Sequence, residues 1–282
     1  MRRGSATICL LVISSVLSAC ADSEKSPQSS PNSSDAAGIV GGDFHSLVAD
    51  PLVSGRIYVG GHAAVSQSND SGTTWVAVDA LKNADAMGWS LSGNTIWVSG
   101  HPGLTRSLDG GVTFEVRNTG LPDTDVHAFG ADGDTLYAAG PGLGVVMSAD
   151  GGITWATVSG NVGQAFFGRI LVDPIEVQHI VAADVQQGVL ESRDGGQTWT
   201  ALGTSPASWV SSGDGLATIY ASGGPIAQRS TDGGITWQPL SLPPDASLVE
   251  SGRDGALYSG VHKGDEVIVW FSADGGATWV HP

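Results

Sequence analysis

Seven histidines are spread along the 282-residue chain, and five of them, His45, His62, His101, His127 and His262, belong to no repeated motif. Imidazole nitrogens with a thioether nearby, here Met87, are ligands suited to copper or zinc. The competing reading of the same side chains is a polar rim that hydrogen-bonds water and loop carbonyls. Hydrolysis of a glycosidic bond needs something different, two carboxyl groups facing each other across the sugar. Asp184, Glu250 and Asp125 are the available candidates, and nothing in their local sequence singles them out. Trp89 and Trp209 offer flat faces on which a sugar could stack, although burial in the core is the commoner fate of such rings. Arg169 is the arginine best placed to hold a carboxylate, which a planar guanidinium grips bidentately.

A more conspicuous carboxylate repeats. "SADGGITW" (Ser148–Trp155) returns as "SRDGGQTW" (Ser192–Trp199), "STDGGITW" (Ser230–Trp237) and "SADGGATW" (Ser272–Trp279). "SNDSGTTW" (Ser68–Trp75) and "SLDGGVTF" (Ser107–Phe114) are divergent copies. The aspartates Asp70, Asp109, Asp150, Asp194, Asp232 and Asp274 are 39, 41, 44, 38 and 42 residues apart. A catalytic carboxylate is needed once or twice per site, whereas a period near forty marks stacked supersecondary units. Asp and Ser/Thr oxygens can satisfy the N–H groups of their own turn, and glycine supplies positive φ. These aspartates are therefore read as structural.

The elements that must position the unrepeated residues follow from the same period. Each unit opens with a short extended segment such as His45–Ala49, His127–Ala131 or Ile170–Asp173. A second strand follows, "RIYVGG", "TIWVSG" or "TLYAAG" in the first three units. A third runs into the aspartate motif, and a fourth begins at its aromatic residue. Short alternating strands between Gly/Asn/Asp turns make the chain all-β. Four strands per forty residues describe a propeller blade, so the expected fold is a six-bladed β-propeller of four-stranded antiparallel blades over residues 41–282. Gly38–Phe44 is placed to help complete the last blade, since the sequence stops three residues after Trp279.

The motif S-x-D-x-G-x-T-W resembles the Asp-box, or BNR repeat, of the sialidase-like propellers. The resemblance covers about residues 40–282, and only Phe114 departs at the aromatic position. It implies that each box closes the hairpin between third and fourth strands, on the face away from the ligand site. On that plan His45, His62, His101, His127 and His262 all map to the opposite face, with Met87 close by. The chain is also similar to a group of Asp-box lipoproteins that carry a His near the first strand, a "GHP" turn (Gly100–Pro102) and a Met-Gly before the second blade (Met87–Gly88). Members of that group are often labelled glycosyl hydrolase, a label that follows from fold rather than from a site. A sialidase proper would require an arginine triad, a tyrosine nucleophile with a glutamate partner, and an F-R-I-P marker. The nearest match to the marker here is "FGRI" (Phe167–Ile170), without the proline, and the tyrosines occupy a repeated strand position.

Bulk properties narrow the partners. Arg2 and Arg3, the apolar run Ile8–Leu17 and small residues before Cys20 have the layout of an export signal over residues 1–19. "LSAC" (Leu17–Cys20) resembles a bacterial lipobox, which implies a lipidated Cys20 and an anchor in the cell envelope. That anchor would sit on the outer side of the cytoplasmic membrane or in the outer membrane. The only other cysteine, Cys9, lies within the signal, so no disulfide is expected. Residues 20–40 read as a Ser/Pro-rich tether. Without Arg2 and Arg3 the chain carries ten basic against 28 acidic side chains. That balance excludes nucleic acid, which needs clustered Lys/Arg. The expected role is a monomeric binding or scaffold module, taking a metal, small ligand, glycan or envelope protein on the face opposite the boxes. The alternative is a divergent glycoside hydrolase.

Overall fold

The computed structural model describes residues 36–282. Cys20, the span 1–19 read as an export signal and most of the span 20–40 read as a tether lie outside the described residues. Among the described residues the chain is all-β apart from two single 3₁₀ turns, Asp79–Leu81 and Arg253–Gly255. No helix among them is long and apolar enough to cross a membrane.

The strands follow one another in simple up-and-down order. A two-residue strand, β1 (Gly38–Ile39), comes first. One four-stranded sheet contains β2 (Phe44–Ala49), β3 (Ile57–Gly61), β4 (Val65–Ser68) and β5 (Val76–Ala77). The next contains β6 (Gly88–Ser92), β7 (Thr95–Gly100), β8 (Gly103–Ser107) and β9 (Glu115–Val116). Then come β10 (Ala128–Asp132), β11 (Thr135–Gly140), β12 (Gly144–Ser148) and β13 (Ala156–Ser159). They are followed by β14 (Phe166–Val172), β15 (Ile180–Asp184), β16 (Gly188–Ser192) and β17 (Thr200–Ala201). A further four-stranded sheet holds β18 (Trp209–Ser211), β19 (Ile219–Ser222), β20 (Gln228–Ser230) and β21 (Gln238–Pro239). The last is built from β22 (Ala246–Ser251), β23 (Leu257–Lys263), β24 (Glu266–Ser272) and β1.

Two features differ from the sequence expectation. Among the described residues the hydrogen-bonded sheets number five, because β10 and β14 pair in parallel (Ala128 with Gly168, Phe129 with Arg169) and fuse two antiparallel runs into eight strands. The first strands of neighbouring runs approach closely here, where β14 carries Gly168 at φ 77°. The sheet structure also begins at Gly38, inside the span 20–40 read as tether, while joining the last sheet as expected for Gly38–Phe44. Gly38 and Ile39 pair with Val267 and Glu266, and Ile39 N donates to Ser66 Oγ at 2.9 Å. The apolar content of Gly38–Val40 is enough to be held by the last sheet, and Val40 is fully buried.

The boxes lock local corners. In all six, the serine hydroxyl donates to the aspartate Oδ1, and the threonine N–H and hydroxyl donate to its two oxygens. Backbone bonds such as Gly151 N to Asp134 O (3.0 Å) and Gly195 N to Gln178 O (2.9 Å) tie the box turn to the turn between the first two strands. Hydrogen bonds from the box threonine hold Asp150 at about 2, so it stays an acceptor at any ordinary pH. Because strands alternate in direction, these turns lie at the ends of the first strands, and the other face is built from their starts.

Candidate functional site

Four of the five histidines meet at the starts of the first strands. His45 is the second residue of β2, His62 follows β3, His101 follows β7, and His127 directly precedes β10. Asp85, before β6, and Asp125, before β10, complete the group. The three atoms His101 Nε2, His127 Nε2 and Asp125 Oδ1 form a compact triangle. Its edges are 2.5 Å from His101 to Asp125, 2.8 Å from His127 to Asp125, and 3.3 Å between the two imidazoles. On the far side of its ring, His101 Nδ1 is 2.7 Å from Asp85 Oδ2, while Asp85 Oδ1 is 2.7 Å from His45 Nδ1. His62 Nδ1 stands 3.8 Å from Asp85 Oδ2. Phe167 packs edge-on between His45 and His127, 5.8 Å from each ring, and forms an apolar wall.

Electrostatics explain why two carboxylates and four imidazoles coexist. Burial pushes Asp85 up, but hydrogen bonds from His45 and His101 outweigh it and its pKa is lowered. Burial alone would lower His101; the hydrogen bonds and charges of Asp85 and Asp125 outweigh that, and its pKa is raised. Without an ion, both nitrogens of His101 face carboxylate oxygens and each needs a proton. A divalent ion supplies the same positive charge at the Nε2 end while Nδ1 keeps its proton for Asp85. Tetrahedral zinc with bonds of ~2.0–2.2 Å holds its donors about 3.3–3.6 Å apart. The triangle therefore has to open by a few tenths of an ångström to about 1 Å, within reach of side-chain rotation. His101, Asp125 and His127 fit such an ion chemically, and the partly exposed His101 leaves room for a further ligand.

Backbone glycines set the two aspartates. A Cβ on Gly100 would collide with the Asp85 carbonyl, and one on Gly140 with the Asp125 carbonyl. Only glycine at the ends of β7 and β11 lets these loops approach so closely. The His101–Pro102 peptide that follows Gly100 is cis.

The remaining sequence candidates lie elsewhere. His262 Nε2 is 2.8 Å from Gly42 O and 2.6 Å from Gly264 O, a loop tie outside the cluster. Met87 is buried at 5% exposure, its N–H bound to Ser99 O at 2.8 Å. Trp89 and Trp209 are 1% and 0% exposed, so neither offers a face to a sugar; their rings fill the core with Leu47 and Leu248. Asp184, 3% exposed, accepts the N–H groups of Gln186 and Gln187 and caps its own turn. Glu250 is fully buried and accepts from Arg169 Nη1 (2.6 Å), Trp209 Nε1 (3.0 Å) and Ala49 N (3.3 Å). Burial, opposed by Arg169 and Trp209, pushes Glu250 up to about 7. Arg169 thus has a buried carboxylate partner within the protein, and it borders a cleft of about 470 Å³ at the opposite ends of the first strands.

Asp85 and Phe167 were not singled out as site residues from sequence. A signal for Asp85 exists: "DFH" (Asp43–His45), "DAM" (Asp85–Met87) and "DVH" (Asp125–His127) repeat one inter-strand position in three successive units.

Comparison with known proteins bears on the fold. The model of the BNR/Asp-box repeat matches residues 228–239. No curated protein matches the sequence. A GH74 xyloglucanase from Xanthomonas campestris is similar in structure at 16% identity and TM-score 0.58, covering 87% of this chain and 46% of that one. The GH74 enzyme of Niastella koreensis gives 17% identity and TM-score 0.61 with the same coverage, 87% and 46%. PorZ, a surface component of the type-IX secretion system of Porphyromonas gingivalis, gives 15% identity and TM-score 0.55 over 85% of this chain and 32% of that one. The chain spans less than half the length of each. At these identities the likeness speaks for fold alone, a β-propeller, here carrying a BNR/Asp-box repeat.

Proposed function

We propose that this propeller is a binding module of the bacterial cell envelope that holds a divalent transition-metal ion, zinc or copper, at His101, Asp125 and His127. The observation that carries this reading is the convergence of two imidazole nitrogens and one carboxylate oxygen within 3.3 Å of one another. Asp85 supports it by orienting the far nitrogen of His101, as carboxylates commonly do for metal-bound histidines. We read the strands as six four-stranded blades, the eight-stranded sheet being two of them, with β1 completing the sixth. The lipobox-like "LSAC" supports attachment through Cys20, with the acidic propeller carried outside the cytoplasm. A small ligand, glycan or envelope protein would then bind on the metal-bearing face.

Glycoside hydrolysis is the second reading, prompted by the likeness to GH74 enzymes. Against it, Glu250 and Asp184 are engaged in internal bonds and Asp125 in the histidine cluster. The test is metal analysis of purified protein dialysed against zinc. Close to one or more equivalents in wild type and a clear loss in His127→Ala support the metal reading. Negligible metal in both rejects it, and release of sugar from xyloglucan by the metal-free protein would favour the hydrolase.

A further inference from the structure

Two histidines of the cluster are not used by that ion. One ring nitrogen each of His45 and His62 and an Asp85 oxygen form a second donor set, each within 4.8 Å of the others. They come from three separate places, the first residues of β2, the turn after β3 and the loop before β6, so the fold rather than one local turn brings them together. His45 is nearly enclosed at 14% side-chain exposure, whereas His62 is 67% exposed and free to swing.

We propose that His45, His62 and Asp85 form a second position for a divalent transition-metal ion, coupled to the first through Asp85. This inference rests on the metal reading of the first position. The coupling follows from how Asp85 divides its oxygens: Oδ1 faces His45 and Oδ2 faces His101 Nδ1, at 2.7 Å each. Occupation of the second position would take up a His45 nitrogen and an Asp85 oxygen that now face each other. It also draws negative charge from the carboxylate that orients His101. Two dications linked by one carboxylate and one imidazole repel, so the ions bind in two steps of unequal strength. A pair of sites this close but joined through an imidazole cannot share one bridging water. The arrangement therefore suits graded metal uptake better than two-metal hydrolysis, which places its ions ~3.5–4 Å apart.

The experiment is a zinc titration by calorimetry on the full chain without a histidine tag, with circular dichroism to check folding. Wild type is expected to bind two equivalents in two steps, and His62→Ala, altered at an exposed residue, only the stronger one. His127→Ala should lose the first position and bind one ion at the second several-fold more tightly than wild type does. A single equivalent in wild type, unchanged in His62→Ala, overturns the second position and leaves the first standing. Two equivalents that persist in His62→Ala place the second ion elsewhere and also overturn it. No binding at all overturns both readings.

Discussion

Asp85 and His101, sixteen residues apart, are joined by a 2.7 Å hydrogen bond from imidazole Nδ1 to carboxylate Oδ2. The bond fixes which nitrogen of His101 an incoming ion can take from its proton. With Nδ1–H committed to Asp85, the lone pair that a metal needs lies on Nε2, beside His127 and Asp125.

Replacing Asp85 with Asn keeps the size of the side chain and removes its charge. Loss of such an orienting carboxylate typically lowers metal affinity 10–100-fold. Zinc affinity of Asp85→Asn, measured by competition with a chromophoric chelator, should fall by that factor with the fold unchanged. Equal affinity would mean that His101 needs no orientation.

Gly100→Ala tests the backbone support. The added methyl collides with the Asp85 carbonyl, so the loop before β6 has to move. Overpacking of this kind costs about 1–3 kcal/mol, and zinc affinity should fall with it. A variant with wild-type Tm and wild-type affinity would show that the loop is not held by this approach.

Glu250 gives a pH signature. Its ordinary value of 4.5 is pushed up to about 7 in the fold, so between those values the folded state keeps a proton that the unfolded chain has released. On this group alone stability falls as pH rises through that window, by up to about 3 kcal/mol at about 1.4 kcal/mol per unit. Urea unfolding at pH 5 and pH 7 should show about 2 kcal/mol of this loss in wild type and none of it in Glu250→Gln. Parallel behaviour of the two would place the Glu250 proton outside the folding equilibrium.

Trp209→Ala removes a ring with 0% exposure and one of the donors to Glu250. A loss of about 3–5 kcal/mol in urea unfolding is expected. A loss below about 1 kcal/mol would return Trp209 to the surface as a ligand platform.

Much of the fold was legible because the box repeats. Six copies of Ser, Asp and Thr at fixed offsets report six local corners, and local corners are what short motifs encode. Which first strands would pair was not legible: the β10–β14 contact depends on how closely two runs pack around Gly168, and no periodicity carries that. The histidine face was readable by subtraction, since His45, His101 and His127 sit where the box does not. Asp85 was overlooked because aspartate is abundant in this acidic chain, and its role shows only when "DFH", "DAM" and "DVH" are aligned. Trp89 and Trp209 misled for a physical reason. A first strand begins at the face but turns alternate side chains into the packing between sheets, and both indoles point there.

A crystal of the protein grown with zinc and measured at the zinc absorption edge shows whether His101, His127 and Asp125 hold one ion between them. An anomalous peak is expected about 2.0–2.2 Å from His101 Nε2, His127 Nε2 and an Asp125 oxygen. An anomalous map with no peak there, with the three side chains still hydrogen-bonded to one another, would contradict it.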